Sequence, residues 1–197
     1  MEGFKQFLSS ILNIEILNID VAKEVVLKKG NVNEKIGVVD LYSIINENQI
    51  ADIEIQRKNY NNTRKRSIYY ASKLITNQLK SGQYYNDILD VSIIFILDYN
   101  IFKNKDYLNK YMILDTRDKN IEHLGTQEYY FIELPKFRKS KKDLNDVLSQ
   151  WLVFIDSKNK EEVKEVMARN TLIKESQDIF DVLTGTTMEQ RIHELKM

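Results

Sequence analysis

The apolar run Val91–Leu97 constrains the fold more than any other part of the chain. It is rich in branched and aromatic residues and carries no charge. A run of this length without a polar face is typical of a strand at the centre of a sheet, covered on both sides. The sequence therefore predicts a domain built around a buried strand at this position.

Hydrophobic periodicity predicts the elements on either side of this strand. Helical spacing is found over 3–13, over 61–80 with an end at Gly82, from Leu144 to Ile155, and in two or three further helices over 160–197. Strand patterns cover 22–29, 34–46, 49–57, 111–115 and 129–134, with the second and third joined at residues 46–48. This order predicts an α/β or α+β domain with a central mixed sheet and flanking helices.

Two acidic residues fall on the neighbouring strands of the predicted hairpin. Asp40 follows Gly37–Val39, and Glu54 lies between Ile53 and Ile55. Pairing of the strands would bring both carboxylates to one partly buried edge, where their repulsion requires a cation. Hard divalent ions such as Mg²⁺ take one or two carboxylates together with water and substrate phosphate oxygens. The alternative is that each of the two acids is an ordinary exposed residue or belongs to a turn.

The alternation of side chains along the third strand favours a site. Asp52, Glu54 and Gln56 share one face, while Ile53 and Ile55 point to the other. On the following helix, Arg66, Tyr70, Lys73 and Asn77 form a polar stripe opposite a stripe of Ile68, Ala71, Ser72, Ile75 and Leu79. The polar stripe could dock beside the hairpin and present donors to a substrate or to Glu54. The alternative is an ordinary helix exterior.

Charge and composition narrow the class of protein. The 197 residues include 29 basic and 29 acidic side chains, so the whole-chain charge does not indicate a nucleic-acid binder. Two basic clusters are candidates for nucleic-acid contact, or else solvated surface: Arg57, Lys58, Arg64, Lys65, Arg66 and Lys73; and Lys136, Arg138, Lys139, Lys141 and Lys142. The absence of cysteine excludes disulfides and thiolate chemistry, and is compatible with a cytoplasmic location. His123 and His193 lack the spacing of a zinc site.

Several short motifs together resemble one nuclease family. They are Val39–Leu41, Ile53–Gln56, Arg66 with Tyr69 and Tyr70, Gln78–Leu79, Gly82, Tyr85, the apolar strand, Glu133–Phe137 and Trp151–Leu152. In combination they resemble the recombination-promoting nuclease and putative transposase family, within the PD-(D/E)XK nuclease superfamily. The resemblance extends from the first helix to about residue 155 and is loose beyond residue 160.

The resemblance implies a restriction-endonuclease-like core over residues 1–139 and a C-terminal helical extension, packed on that core, over 140–197. It also implies hydrolysis of DNA phosphodiester bonds by a metal-activated water. Asp40, Glu54 and Gln56 would be catalytic, with Gln56 in the place of the usual lysine. Asp40, Glu54 and the carbonyl of Ile55 would hold Mg²⁺, with Mn²⁺ as an alternative. The expected substrate contacts are Lys58, Arg66, Tyr70 and Lys73.

The chain departs from the family pattern at its start. Related proteins usually carry an additional N-terminal stretch with an acidic residue, whereas this sequence begins almost at the first helix. The alternative to a metal-dependent DNA endonuclease is therefore a catalytically degenerate nuclease fold that binds DNA or a protein. The expected partner is DNA, with a homodimer as a further candidate and no membrane association.

Overall fold

A computed structural model of the chain describes residues 1–27, 37–115, 117 and 123–176, without the side chains of 23–27, 37–40 and 123. The chain divides into two units, Asn18–Lys136 and Met1–Leu17 with the segment that begins at Phe137. The predicted division between residues 139 and 140 placed the first helix with the sheet, whereas here it belongs with the C-terminal helices. Whether the two predicted parts are separate domains stays a prediction.

The unit Asn18–Lys136 contains a mixed six-stranded sheet. Its strands are β1 (Ile19–Leu27), β2 (Gly37–Ile45), β3 (Gln49–Gln56), β4 (Asp90–Leu97), β5 (Leu108–Leu114) and β6 (His123–Glu133). They lie in the order β1-β2-β3-β4-β6-β5. β3–β4 and β4–β6 are parallel pairs, and the other three are antiparallel. This confirms the predicted fold class of a central mixed sheet with helices.

The central position of β4 follows from its composition. Every residue of Val91–Leu97 is buried, because β4 has a hydrogen-bonded neighbour on each side and apolar side chains on both faces. β3 reaches β4 through the helix α2 (Thr63–Thr76), as a parallel connection requires. The carboxyl ends of β3 and β4 consequently lie side by side, with Gln56 opposite Leu97.

Helix α2 covers one face of the sheet with residues from both of the predicted stripes. Tyr70, Ala71 and Leu74 pack against residues of β3, β4 and β6, whereas Ile68 is 57% exposed. Arg66 of the polar stripe donates to Glu54 of β3, in agreement with the predicted docking of that stripe beside the hairpin. The helix also ends at Thr76, six residues before the predicted stop at Gly82.

The second unit is helical. Its described helices are α1 (Glu2–Leu12), α4 (Val147–Asp156), α5 (Lys160–Arg169) and α6 (Thr171–Glu175), and the short α3 (Leu134–Phe137) spans the junction of the units. α4 begins at Val147 because the Asp146 carboxylate accepts from the Ser149 amide at 2.8 Å. Trp151 is fully buried near the rings of Phe7 and Phe154. Among the described helices, none is long and apolar enough to cross a bilayer.

Candidate active site

The candidate site is centred on Glu54, near the carboxyl end of β3. Ile50, Asp52 and Glu54 alternate with Ile53 and face α2, since Ile50 packs with Tyr70 of that helix and Glu54 bonds to Arg66. Asp52 is fully buried and Glu54 is 1% exposed. Buried carboxylates are rare unless they are paired or bind a cation, so this face of β3 is unusual for a sheet interior.

Arg66 and Tyr70 form a connected pair with Glu54. The Arg66 Nη2 donates to Glu54 Oε2 at 2.9 Å, and its Nε donates to the Tyr70 hydroxyl at 2.9 Å. The four-residue spacing puts both side chains on one face of α2 and sets the guanidinium 4.9 Å from the centre of the Tyr70 ring. Arg66 is one-third exposed, so its guanidinium joins a buried acid to the protein surface.

The Tyr70 hydroxyl stays neutral over a wide pH range. Burial, with a smaller contribution from the negative charge of Glu54, raises the pKa of Tyr70 to about 12 against the opposing effect of Arg66. The hydroxyl is consequently uncharged at neutral pH, where its oxygen accepts from Arg66.

The raised pKa of Tyr70 predicts a loss of stability in alkali. An unfolded tyrosine ionises near pH 10, so the stabilisation that comes from the raised pKa of Tyr70 is fully present below that pH. It is lost as the pH rises towards 12. We expect the free energy of unfolding to fall by about 2–3 kcal/mol more in the wild type than in Tyr70→Phe over this interval. Urea unfolding from pH 9 to 12 measures the difference, with the exposed Tyr84→Phe as a control. Parallel curves for wild type and Tyr70→Phe would refute it.

Gln56 continues the row of Asp52 and Glu54 and is held from a second loop. The Tyr99 hydroxyl donates to Gln56 Oε1 at 2.7 Å, and Thr63 Oγ1 lies 2.7 Å from the Tyr99 hydroxyl. Tyr99 follows the end of β4 by two residues, and Thr63 is the first residue of α2. Burial raises the pKa of the Tyr99 hydroxyl, which keeps it a donor.

The other predicted substrate contacts occupy different environments. Lys58 is exposed, with its ammonium 5.6 Å from the centre of the Tyr60 ring. Tyr70 and Lys73 are 7% and 8% exposed, which favours a supporting position, and their direct contact with substrate stays a prediction. The metal-ligand and catalytic roles of Asp40, Glu54, Gln56 and Ile55 also stay predictions, and the Asp40 side chain lies outside the described residues.

A polar cleft of about 390 Å³ adjoins this group of residues. It lies between the segment after β3, the start of α2 and the loop after β4. Its lining includes Thr63, the cations Arg64 and Lys65, and the amides of Asn59, Asn61, Asn62 and Asn100. Two members of the first predicted basic cluster, Arg64 and Lys65, therefore border an open cleft beside the candidate site.

Three of the five cations in the second predicted basic cluster form ion pairs with acids of the same chain. Lys136 pairs with Glu133, and Lys142 with Glu162. The Arg138 Nε donates to both carboxylate oxygens of Asp156 at 2.9 and 3.0 Å. These contacts favour a structural role over nucleic-acid contact for all three cations.

Sequence reasoning missed Tyr99, Thr63 and Glu133. Glu133 is fully buried and accepts from the amides of Ile101 and Phe102 and from Lys136, so it holds the loop that carries Tyr99. The motif Glu133–Phe137 was noticed, but as a family signature without a physical role. A charged residue at the end of a buried strand was the signal that could have identified Glu133.

The mixed sheet, its flanking helices and the acidic face of β3 are those of a restriction-endonuclease-like PD-(D/E)XK fold. The family model described as PD-(D/E)XK nuclease family transposase matches residues 4–197, and the chain belongs to that family. The match includes the C-terminal region, where the motifs noticed in the sequence gave only a loose resemblance.

Comparison with the curated proteins and with the solved structures gave no significant match to the chain.

Within the described residues, no cluster of three or more histidine, cysteine, aspartate or glutamate side chains has the geometry of a metal site. Nucleases of this superfamily generally use divalent metals, so the oxygen atoms around Glu54 are the groups to consider as metal ligands.

Proposed function

We propose that the protein is a divalent-metal-dependent endonuclease that hydrolyses phosphodiester bonds of DNA, with a role in recombination or the movement of mobile elements. The family supports nuclease chemistry and DNA as the substrate. The observation that carries the proposal is the Glu54 carboxylate, 1% exposed on a central strand and held by Arg66. A buried acid at this position costs stability and is therefore expected to have a function.

The donors around Glu54 suit a hard cation such as Mg²⁺ or Mn²⁺. Such ions prefer carboxylate and carbonyl oxygens, which Glu54 and the Ile55 backbone supply. The β2–β3 register reaches Leu41 opposite Ile53, and the next residues on the two strands are Asp40 and Glu54. In an antiparallel ladder that continues by one pair, these residues lie opposite each other, which supports Asp40 as the second acidic ligand.

The side chains of this site have separable roles in the proposed hydrolysis. A bound divalent ion would polarise a phosphate oxygen and lower the pKa of the attacking water. Glu54, Asp40 and the carbonyl of Ile55 would hold the ion in place. Arg66 supplies positive charge close to Glu54 and, being one-third exposed, can approach a phosphate. Gln56 contributes hydrogen bonding without charge.

The cations that border the cleft support DNA as the ligand. Arg64 and Lys65 line the cleft, and Lys58 is exposed on the same strand-to-helix segment. Contacts between cations and phosphates make binding dependent on salt. We expect Lys65→Ala to weaken duplex binding uniformly across sequences and to reduce the slope of log K against log[salt] by about 1. Fluorescence anisotropy measures both, with Lys164→Ala on α5 as a control; an unchanged slope contradicts the prediction.

The proposal is tested by cleavage of a supercoiled plasmid. We expect nicking that requires Mg²⁺ or Mn²⁺, stops with EDTA and is lost in Asp40→Ala. Calorimetric titration with Mn²⁺ gives an independent measurement, since heat from a specific site should disappear in Glu54→Ala. The surface acid Glu165 pairs with Arg169 at 2.8 Å, so Glu165→Ala is a matched control. Metal-independent cleavage, or full activity in Asp40→Ala, would end the proposal.

A second candidate function is a nuclease fold that binds DNA without cutting it. The Arg66–Glu54 ion pair favours this alternative, because it already neutralises the acid that a metal would require. Gln56 favours it too, since an amide cannot replace the charge of a lysine. Salt-dependent DNA binding without cleavage in any divalent ion would identify this function.

The proposal also includes a homodimeric state and a cytoplasmic location. Tyr111, Ile113 and Leu114 of the edge strand β5 are each 42–43% exposed, and their apolar surface supports a homodimer. Sedimentation velocity measures this. A cytoplasmic location, expected from the absence of cysteine, stays a prediction.

A further inference from the structure

The amide of Gln56 has one satisfied end and one unsatisfied end. Oε1 accepts from Tyr99, whereas Nε2 is shielded from solvent and has no hydrogen-bond partner among the described residues. A shielded donor without an acceptor costs about 1–3 kcal/mol, and such groups are rare in native structures. The unsatisfied end therefore suggests an acceptor that arrives with the substrate.

The direction of the hydrogen bonds around Tyr99 determines which end of the Gln56 side-chain amide points away from Tyr99. Oε1 can only accept, so the single proton of the Tyr99 hydroxyl lies on the bond to Gln56. Thr63 must then donate to Tyr99, across 2.7 Å. The chain Thr63, Tyr99, Gln56 consequently fixes the amide with its N–H₂ end away from Tyr99.

We propose that Tyr99 is a positioning residue that makes Gln56 a hydrogen-bond donor to an oxygen of the substrate phosphate or of the attacking water, and not a metal ligand. The only side-chain atom of Gln56 that could bind a metal, Oε1, is engaged by Tyr99. The N–H₂ group donates a hydrogen bond, as a lysine ammonium at this position would, but it carries no positive charge. The inference rests on the proposed nuclease function.

The two loops that meet at Gln56 explain how this arrangement is built. The parallel register sets Gln56 opposite Leu97, and Tyr99 lies two residues beyond. The Asp98 amide donates to the Gln56 carbonyl at 2.9 Å, so the backbone of the second loop is joined to the end of β3. Tyr99 therefore occupies a position defined by main-chain bonds, as a positioning residue requires.

A double-mutant cycle separates positioning from a structural effect. We expect Tyr99→Phe to lower kcat about tenfold with less than a twofold change in KM. In a Gln56→Lys background, where the donor no longer depends on an amide orientation, the same substitution should change kcat less than twofold. Equal losses in both backgrounds would show that Tyr99 acts only through the fold and would overturn the inference.

Matched controls are available within the sheet. Tyr129→Phe removes another hydroxyl that donates to a glutamine Oε1, that of Gln127 at 2.6 Å, without a link to Gln56. We expect it to leave kcat within twofold. Thr63→Val should reproduce part of the Tyr99→Phe loss, and Thr63→Ser, which keeps the hydroxyl, should restore activity.

A spectroscopic measurement tests the inference without cleavage. The side-chain amide signals of Gln56 in a ¹H–¹⁵N spectrum are assigned by their disappearance in Gln56→Glu. We expect them to shift or broaden in Tyr99→Phe and to stay in place in Tyr129→Phe. Unchanged signals in Tyr99→Phe would overturn the inference, whereas shifted signals in a protein that cuts no DNA would refute the proposed function alone.

Discussion

Glu54→Gln is expected to reduce metal-dependent cleavage by at least about 1,000-fold, because several kcal/mol of transition-state stabilisation would depend on the ion that this carboxylate is proposed to hold. Glutamine has nearly the same shape, and its carbonyl oxygen can still accept from Arg66. The fold should therefore persist, with a change in unfolding free energy of about 1 kcal/mol. A plasmid-nicking assay at saturating Mn²⁺, with urea unfolding of the same sample, measures both quantities.

Glu165→Gln is the matched control for this experiment. Glu165 also accepts from an arginine, at 2.8 Å, but it is 45% exposed on α5. Exposed ion pairs contribute little, so neither cleavage nor stability should change measurably. If Glu54→Gln cuts DNA at a rate within tenfold of the wild type, Glu54 is not a metal ligand.

Glu133→Ala is expected to lower the free energy of unfolding by about 3–5 kcal/mol. The side chain is fully buried and joins the amides of Ile101 and Phe102 to Lys136, which is itself only 9% exposed. Removing the carboxylate leaves the ammonium without its anion and the two amides without an acceptor. Each of these losses is costly in a buried setting.

Urea unfolding followed by circular dichroism measures the effect of Glu133→Ala. Glu128→Ala is the control from the same strand, since Glu128 is 24% exposed and pairs with Lys110 near the surface. We expect that control to cost about 1–2 kcal/mol, since Glu128 also accepts from the Tyr130 hydroxyl at 2.6 Å. A Glu133→Ala variant as stable as the control would show that the loop after β4 is held by other contacts.

The sequence predicted those features that depend on neighbouring residues. Alternation along a strand was sufficient to group Asp52, Glu54 and Gln56, and a continuous apolar run was sufficient to make β4 central. The hairpin turn at residues 46–48 was also predicted correctly, because its polar residues separate two clear strand patterns.

The features that were missed depend on contacts between distant segments. Tyr99 and Gln56 are 43 residues apart in sequence, and Arg138 and Asp156 are 18 apart. Periodicity contains no information about such pairs. The two stripes of α2 show the same limit: periodicity grouped Ile68 with Ala71, whereas Ile68 is exposed and Ala71 is buried beside Tyr70 of the polar stripe.

The parallel pairing of β3 with β4 has a consequence for how such a protein can diversify. Both strands end at the same edge, so the loops 57–62 and 98–104 emerge next to each other while the acids remain on the strands behind them. Apart from Tyr99, which is proposed to position Gln56, residues of these loops can change without displacing the acids on the strands. Under the proposed function, target preference can thus evolve at most loop positions while the metal-binding groups stay in place.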